Sequence, residues 1–113
     1  MAQNRNKLIE LFIGNLSNSI THKILEIAAK KEEHSVKYNK ELTASFDIAK
    51  KYREKINPKM PPFPDEDIEY IKTKIINRVK SELSLRIEKG YGGINLLLIE
   101  PLTDDFLKQA RII

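Results

Sequence analysis

The residues with the most evident potential for chemistry are the two histidines, His22 and His34. They are too far apart to share neighbouring turns of a helix. A helical diiron site needs a glutamate three residues before a histidine, but Ser19 and Lys31 occupy those positions. The absence of cysteine excludes thiolate metal sites and cysteine nucleophiles. The sequence therefore predicts no metal site and no cofactor.

The serines show no pattern of a catalytic nucleophile. They lie in or beside helical segments, without the glycine-flanked turn of a nucleophile elbow. Most clustered carboxylates lie where helices are predicted to begin, and the helix dipole accounts for them there. We find no catalytic motif, and the sequence favours a protein that is not an enzyme.

Residues 88–103, EKGYGGINLLLIEPLT, hold three of the four glycines and raise the question of a phosphate-binding loop. A Walker loop requires Lys and then Ser or Thr after its last glycine, whereas Ile94 and Asn95 follow Gly93. The segment before the loop is patterned as a helix, so helix carbonyl groups would face the loop and repel anions. No small-molecule ligand is evident.

The same glycines fit the end of a helix better. Gly90 lies just beyond the last periodic apolar residue, where a left-handed backbone closes a helix without steric cost. We expect Tyr91 to fold back over Leu85, the contact that usually accompanies such a cap.

A lysine-rich segment, residues 50–59, is the strongest candidate for binding nucleic acid. Its cationic residues are Lys50, Lys51, Arg53, Lys55 and Lys59. Such a cluster can contact phosphates without reading sequence. The competing interpretation is a solvated helix face, because acid-before-base pairs at i,i+4 recur along the chain. These pairs are Glu26–Lys30, Glu33–Lys37, Asp47–Lys51 and Glu82–Arg86.

The longest element would run over residues 17–57, because neither glycine nor proline lies between Asn15 and Asn57. Its apolar stripe is interrupted at residues 30–35, yet Ile27 and Tyr38 differ by only ~20° in helical phase. This favours one bent helix, ~60 Å long. The alternative is a break near residues 30–36. A continuous helix would make the protein elongated and leave part of the stripe to a second copy.

The second part of that stripe is the predicted oligomer interface. Its members are Tyr38, Leu42, Phe46, Ala49, Tyr52 and Ile56. From it we predict a non-catalytic interaction or assembly protein, forming a homodimer or another homo-oligomer. Sequence-independent nucleic-acid binding through residues 50–59 is the alternative function.

Three further segments complete the predicted fold. Four prolines make residues 57–64 a stiff connector. Residues 65–89 carry a wide apolar stripe, with acidic residues first and basic residues last, and so predict a helix. A last helix is predicted from Thr103 as its N-cap to about Arg111, with the preceding apolar run either extended or a single turn begun by Asn95.

Composition sets the remaining limits. With 113 residues, 41% hydrophobic and 32% charged, the chain is predicted to form a single all-α domain, a small bundle or helical hairpin spanning residues 1–113. The net charge of +4 lies in the first half and permits a nucleic-acid partner without requiring one. No apolar run is long enough to span a membrane, and neither a signal peptide nor cysteine is present, so we expect a cytoplasmic protein.

Overall fold

A computed structural model describes residues 5–56 and 63–113 of the chain. These residues form four α-helices and no strand: α1 (Arg5–Ala28), α2 (Glu32–Ile56), α3 (Asp65–Glu88) and α4 (Ile99–Gln109), with a 3₁₀ turn at Leu96–Leu98. The predicted all-α class is thus confirmed. Most of the predicted proline connector, residues 57–62, lies outside the described residues.

The predicted continuous helix over residues 17–57 is wrong. The helix ends at Ala28, and a second helix begins at Glu32 with Glu32 and Glu33 in its first turn. The carbonyl of Lys31 accepts the first bonds of α2, from the amides of His34 and Ser35. None of the residues in this turn has a positive φ, so the reversal needs no glycine. The two apolar stripes instead face each other across a helical hairpin of α1 and α2.

The first helix runs unbroken through Gly14 and Asn15. It is the central element of the fold, since it contacts α2, α3 and α4. Its buried side chains therefore point in several directions, and they include Phe12, Leu16 and Ile20, all fully inaccessible to solvent. The wide apolar face of α1 is explained by these three neighbours.

Cross-helix contacts give the direction of each element. Arg5 pairs with Asp67 at 2.7 Å near the start of both helices, and Gly93, just after α3, lies against Ala28 at the end of α1. α3 thus runs parallel to α1, while α2 and α4 run the opposite way. The described residues measure 45 × 24 × 22 Å with a radius of gyration of 14.5 Å, close to the ~13 Å of a compact domain. The expected elongated shape is not confirmed, because the hairpin folds α2 back on α1.

The third helix confirms the prediction for residues 65–89. Three acidic residues occupy its first turn, and the buried side chains recur at helical spacing: Ile71, Ile75, Val79 and Leu83. Lys89 is the C-cap residue.

The last helix begins earlier than predicted. The side chain of Asn95 accepts a hydrogen bond from the amide of Leu97 at 3.0 Å and starts the 3₁₀ turn, which continues directly into α4. Thr103 is not an N-cap but lies fully buried inside the helix, where its hydroxyl donates to the Ile99 carbonyl. Pro101 is accommodated in the first turn, because an amide there has no helical partner to lose.

Candidate functional site

The glycine loop forms the helix cap that its sequence predicts. Gly90 has φ 98°, its amide bonds to the Ile87 carbonyl, and the Tyr91 amide bonds to the Arg86 carbonyl. This pair of bonds defines a Schellman motif. Leu85, the expected neighbour of Tyr91, is half exposed, and the Arg86 guanidinium lies over the tyrosine ring, 5.5 Å from its centroid.

The cap brings the loop against the α1–α2 turn. Gly93, at φ 77°, is so close to α1 that an added Cβ would lie 3.5 Å from the Ala28 carbonyl oxygen. Two segments far apart in sequence therefore meet at one end of the bundle, and a groove lies between them.

We call this feature the tip groove, a concavity of about 540 Å³. Its apolar lining residues are Leu25, Ala28, Ala29 and Ile94. Its polar and charged lining residues are Lys30, Lys31, His34, Lys37, Tyr38, Tyr91 and Gly92. Its volume lies within the ~300–1,000 Å³ of ligand sites, but its lining is more charged than that of a typical small-molecule pocket. No carboxylate belongs to the lining formed by the described residues.

The lysines of the tip groove lack internal counter-ions. Across residues 5–56 and 63–113, no ion pair joins Lys30, Lys31 or Lys37 to a carboxylate. Three like charges in one groove repel each other, and a bound anion would relieve that repulsion.

One nearby carboxylate approaches the groove, since Oε1 of Glu33 lies 3.9 Å from Nε2 of His34, whereas two others are engaged elsewhere. Glu26 accepts hydrogen bonds from Lys23 at 2.8 Å and from Asn39 at 2.7 Å, and these bonds lower its pKa despite partial burial. Glu41 lies 2.8 Å from His22. The predicted pair Glu26–Lys30 does not form, because the helix ends before Lys30.

Two tyrosines add aromatic surface to this groove. Tyr38 is half-buried and lies 6.0 Å, centroid to centroid, from the His22 ring. Tyr91 remains 45% exposed beside Arg86. Cations interleaved with exposed rings can hold anions that carry planar groups.

The chain matches no protein-family model, and no curated protein or solved structure is similar to it.

The predicted basic segment, residues 50–59, is only partly a surface feature. Lys50, Lys51 and Lys55 are exposed, and Lys59 lies outside the described residues. Arg53 is 2% exposed. Its Nε and Nη2 atoms donate to the Arg111 carbonyl at 3.1 and 2.9 Å, and its guanidinium lies 4.3 Å from the centroid of the Phe63 ring. The side chain of Arg53 is thus committed to the fold and not available to a phosphate.

Burial also changes the electrostatics of Arg53. Desolvation lowers the pKa of its guanidinium, and the positive charge of Arg111 adds to this effect. The group keeps its proton, because arginine does not deprotonate in proteins. Its role is to satisfy a backbone carbonyl at the end of the chain's last turn.

The predicted oligomer stripe packs within the monomer. Ala49 is fully buried, and Tyr38, Phe46, Tyr52 and Ile56 pack against the hydrophobic core. Leu42 is half-buried and lines a second cavity, of about 380 Å³, between α2 and α4. Phe46 meets Phe106 of α4 edge to face, with centroids 5.5 Å apart. The fold itself covers much of the apolar surface assigned to a partner.

Within the described residues, no three His, Asp or Glu side chains lie together as metal ligands. In the same part of the chain, no helix has the length and apolarity that crossing a bilayer requires.

Sequence reasoning did not identify the tip groove. A continuous helix places Lys30 and Lys37 on one face with Glu26 and Glu33, where their charges balance. The end of α1 at Ala28 separates Lys30 from Glu26, while Glu33 and Lys37 both remain on α2, and the capped loop after α3 adds Tyr91. The signal available in the sequence was weak, because the three lysines and one histidine of residues 30–37 are accompanied by Glu32 and Glu33.

Proposed function

We propose that this protein is a non-catalytic binding protein that holds an anionic partner in the tip groove. The observation that carries the proposal is the convergence of three lysines without internal counter-ions on a groove without a carboxylate lining. His34, whose Nε2 lies 3.9 Å from Oε1 of Glu33, adds a further nitrogen group there. An anion placed among these groups gains charge-assisted hydrogen bonds that the protein itself does not supply.

The proposal favours the tip groove over residues 50–59 as the anion-binding surface. In residues 50–59, the Arg53 guanidinium donates to the Arg111 carbonyl, and Nζ of Lys50 lies 3.7 Å from Oδ1 of Asp47. Fewer cations therefore remain for a ligand.

A matched pair of charge variants tests this location. The triple variant Lys30→Gln, Lys31→Gln and Lys37→Gln removes the charge of the tip groove, while Lys50→Gln, Lys51→Gln and Lys55→Gln removes the same charge from the other end of α2. We expect inorganic polyphosphate to bind the wild-type protein and the second variant at low salt, and to bind the first variant at least about tenfold more weakly. Equal loss in the two variants, or loss only in the second, contradicts the proposal.

Homo-oligomer formation is a second candidate, favoured by apolar side chains exposed near the same end. Leu97 is 84% exposed, Ile27 54% and Leu85 52%. Exposed apolar side chains of this kind mark surfaces where proteins associate, because association removes them from water. Light scattering should give a mass above the monomer for the wild-type protein and a monomer for Leu97→Gln with Leu85→Gln. A wild-type monomer at high concentration rejects this candidate.

A further inference from the structure

We infer that the anionic partner of the tip groove is single-stranded nucleic acid, bound without sequence preference, with phosphates on the lysines and a base on Tyr91. This inference rests on the proposed function, because it names the class of anion that the groove takes.

The groove is open to solvent and so admits a chain. Lys30, Lys31, His34, Lys37, Tyr91 and Gly92 are all exposed. A small ligand is usually enclosed over most of its surface, whereas a groove with exposed walls suits a polymer that enters and leaves it.

The lysines can contact more than one phosphate. Lys31 lies in the hairpin turn and Lys37 lies within α2, about 9 Å farther along the helix axis at 1.5 Å per residue. This backbone spacing allows Lys31 and Lys37 to contact successive phosphates of one chain, so a ligand with several charges in a row fits the groove.

Tyr91 offers a surface for base stacking, which a polyanion without bases, such as polyphosphate, cannot use. The Arg86 guanidinium lies over the Tyr91 ring, and Tyr91 as a whole residue is 45% exposed. A nucleobase can stack on that surface, and stacking accepts every base because each has a π face. The bases of a duplex are already stacked on each other, so a duplex would contact only the lysines.

Fluorescence anisotropy with three probes tests the inference. The probes are a labelled oligo(dT) of about twelve nucleotides, a duplex of equal length, and polyphosphate as an unlabelled competitor. We expect the single strand to bind at least about tenfold more tightly than the duplex. The logarithm of its affinity should fall with the logarithm of salt concentration with a slope of about −2 for three lysine contacts, and the lysine triple variant should abolish that slope.

The variant Tyr91→Leu separates the inference from the proposed function. It keeps an apolar residue in the cap, and we expect it to weaken oligo(dT) about tenfold while leaving polyphosphate unchanged. The variant Tyr91→Phe keeps the ring and should retain wild-type affinity. Circular dichroism confirms that each variant is folded.

Each remaining outcome has a definite meaning. If the duplex binds as tightly as the single strand, or Tyr91→Leu binds oligo(dT) like the wild type, the inference fails. The proposed function then still stands if the lysine triple variant loses polyphosphate. If neither probe nor competitor binds at low salt, both fail.

Discussion

Arg53 places a positive charge in the interior where α2, Phe63 and the chain after α4 meet. The carbonyl it binds belongs to Arg111, which has φ 61°, a left-handed conformation that costs a residue with a side chain about 1–2 kcal/mol. The amides of Arg111 and Ile112 bond to the carbonyls of Lys108 and Leu107, so α4 ends in the same type of cap as α3. The guanidinium fork holds this strained residue in place.

The variant Arg53→Lys should lower the free energy of unfolding by about 2 kcal/mol, because one ammonium group cannot reproduce the two-pronged bond or the stacking on Phe63. Urea denaturation measures the change. Lys51→Ala, an exposed change on the same helix, should stay within about 0.5 kcal/mol of the wild type. The folded Arg53→Lys protein should bind oligo(dT) normally, and a loss of affinity without a loss of stability would assign Arg53 to the ligand instead.

Two serines on α1, Ser17 and Ser19, should respond in opposite ways to replacement by alanine. Ser17 is buried, and its hydroxyl has no hydrogen-bond partner among the described residues. The Ser19 hydroxyl donates to the Leu42 carbonyl at 2.8 Å and so links α1 to α2.

We expect Ser17→Ala to raise the free energy of unfolding by about 1 kcal/mol and Ser19→Ala to lower it by a similar amount. The Ser17 hydroxyl is buried without a hydrogen bond, so its removal relieves the folded state of a desolvation cost. The Ser19 hydroxyl is hydrogen-bonded, so its removal takes a stabilising bond from the folded state. Thermal and urea unfolding of the two variants measure both changes. If both substitutions change the free energy of unfolding by the same amount in the same direction, the hydrogen bond of Ser19 does not stabilise the fold.

Glu26 gives the fold a predictable response to acid. Its hydrogen bond from Lys23 is the main cause that lowers its pKa below the ordinary value of 4.5, so its ionised form favours the folded state. This contribution is complete above the unfolded pKa and is lost as the pH falls through the folded pKa. Glu26→Gln should therefore be less stable than the wild type at about pH 7, and the difference should shrink as the pH falls through the folded pKa.

The same comparison in a Lys23→Met background provides the control, because the largest cause of the shift is then absent. The difference caused by Glu26→Gln at about pH 7 should shrink there. A difference that stays constant as the pH falls would point to altered packing and not to charge.

At the scale of elements, the two ends of α3 show what pattern can predict. Acidic residues at Asp65–Asp67 and a glycine at position 90 mark its limits, and both follow from the chemistry of unpaired helix ends. The turn at residues 29–31 carries no such mark, because a reversal without a positive φ needs neither glycine nor proline. The sequence around Thr103 resembles the start of a helix, but Thr103 lies inside α4. Asn95 begins the 3₁₀ turn that leads into α4.

Gly90 and Gly92 provide a matched test of the α3 cap. Gly90→Ala should cost about 1 kcal/mol, because its φ of 98° is unfavourable for a side chain even though no atom lies near the added Cβ. Gly92→Ala has equal space and no positive φ, so it should change stability by less than about 0.5 kcal/mol. If urea denaturation shows that Gly90→Ala and Gly92→Ala lower stability equally, the positive φ of the helix cap is not what requires glycine at position 90.

At the scale of the whole molecule, α1 is enclosed by three helices, and the charged groove lies at one end of the bundle. The all-α class could be predicted from apolar periodicity alone. The groove could not, because it joins residues 25–38 to residues 91–94 only after the hairpin closes and α3 ends beside α1. Sequence patterns are local, whereas this site depends on how distant segments pack.

The most direct test of the account is a map of the binding surface by NMR chemical-shift perturbation during titration with oligo(dT). We predict that the largest shifts fall on amides in residues 28–38 and 91–94, with small shifts around Lys50, Lys51 and Lys55. Shifts concentrated around those three lysines, or no shifts at low salt, would contradict the assignment of the tip groove as the binding site.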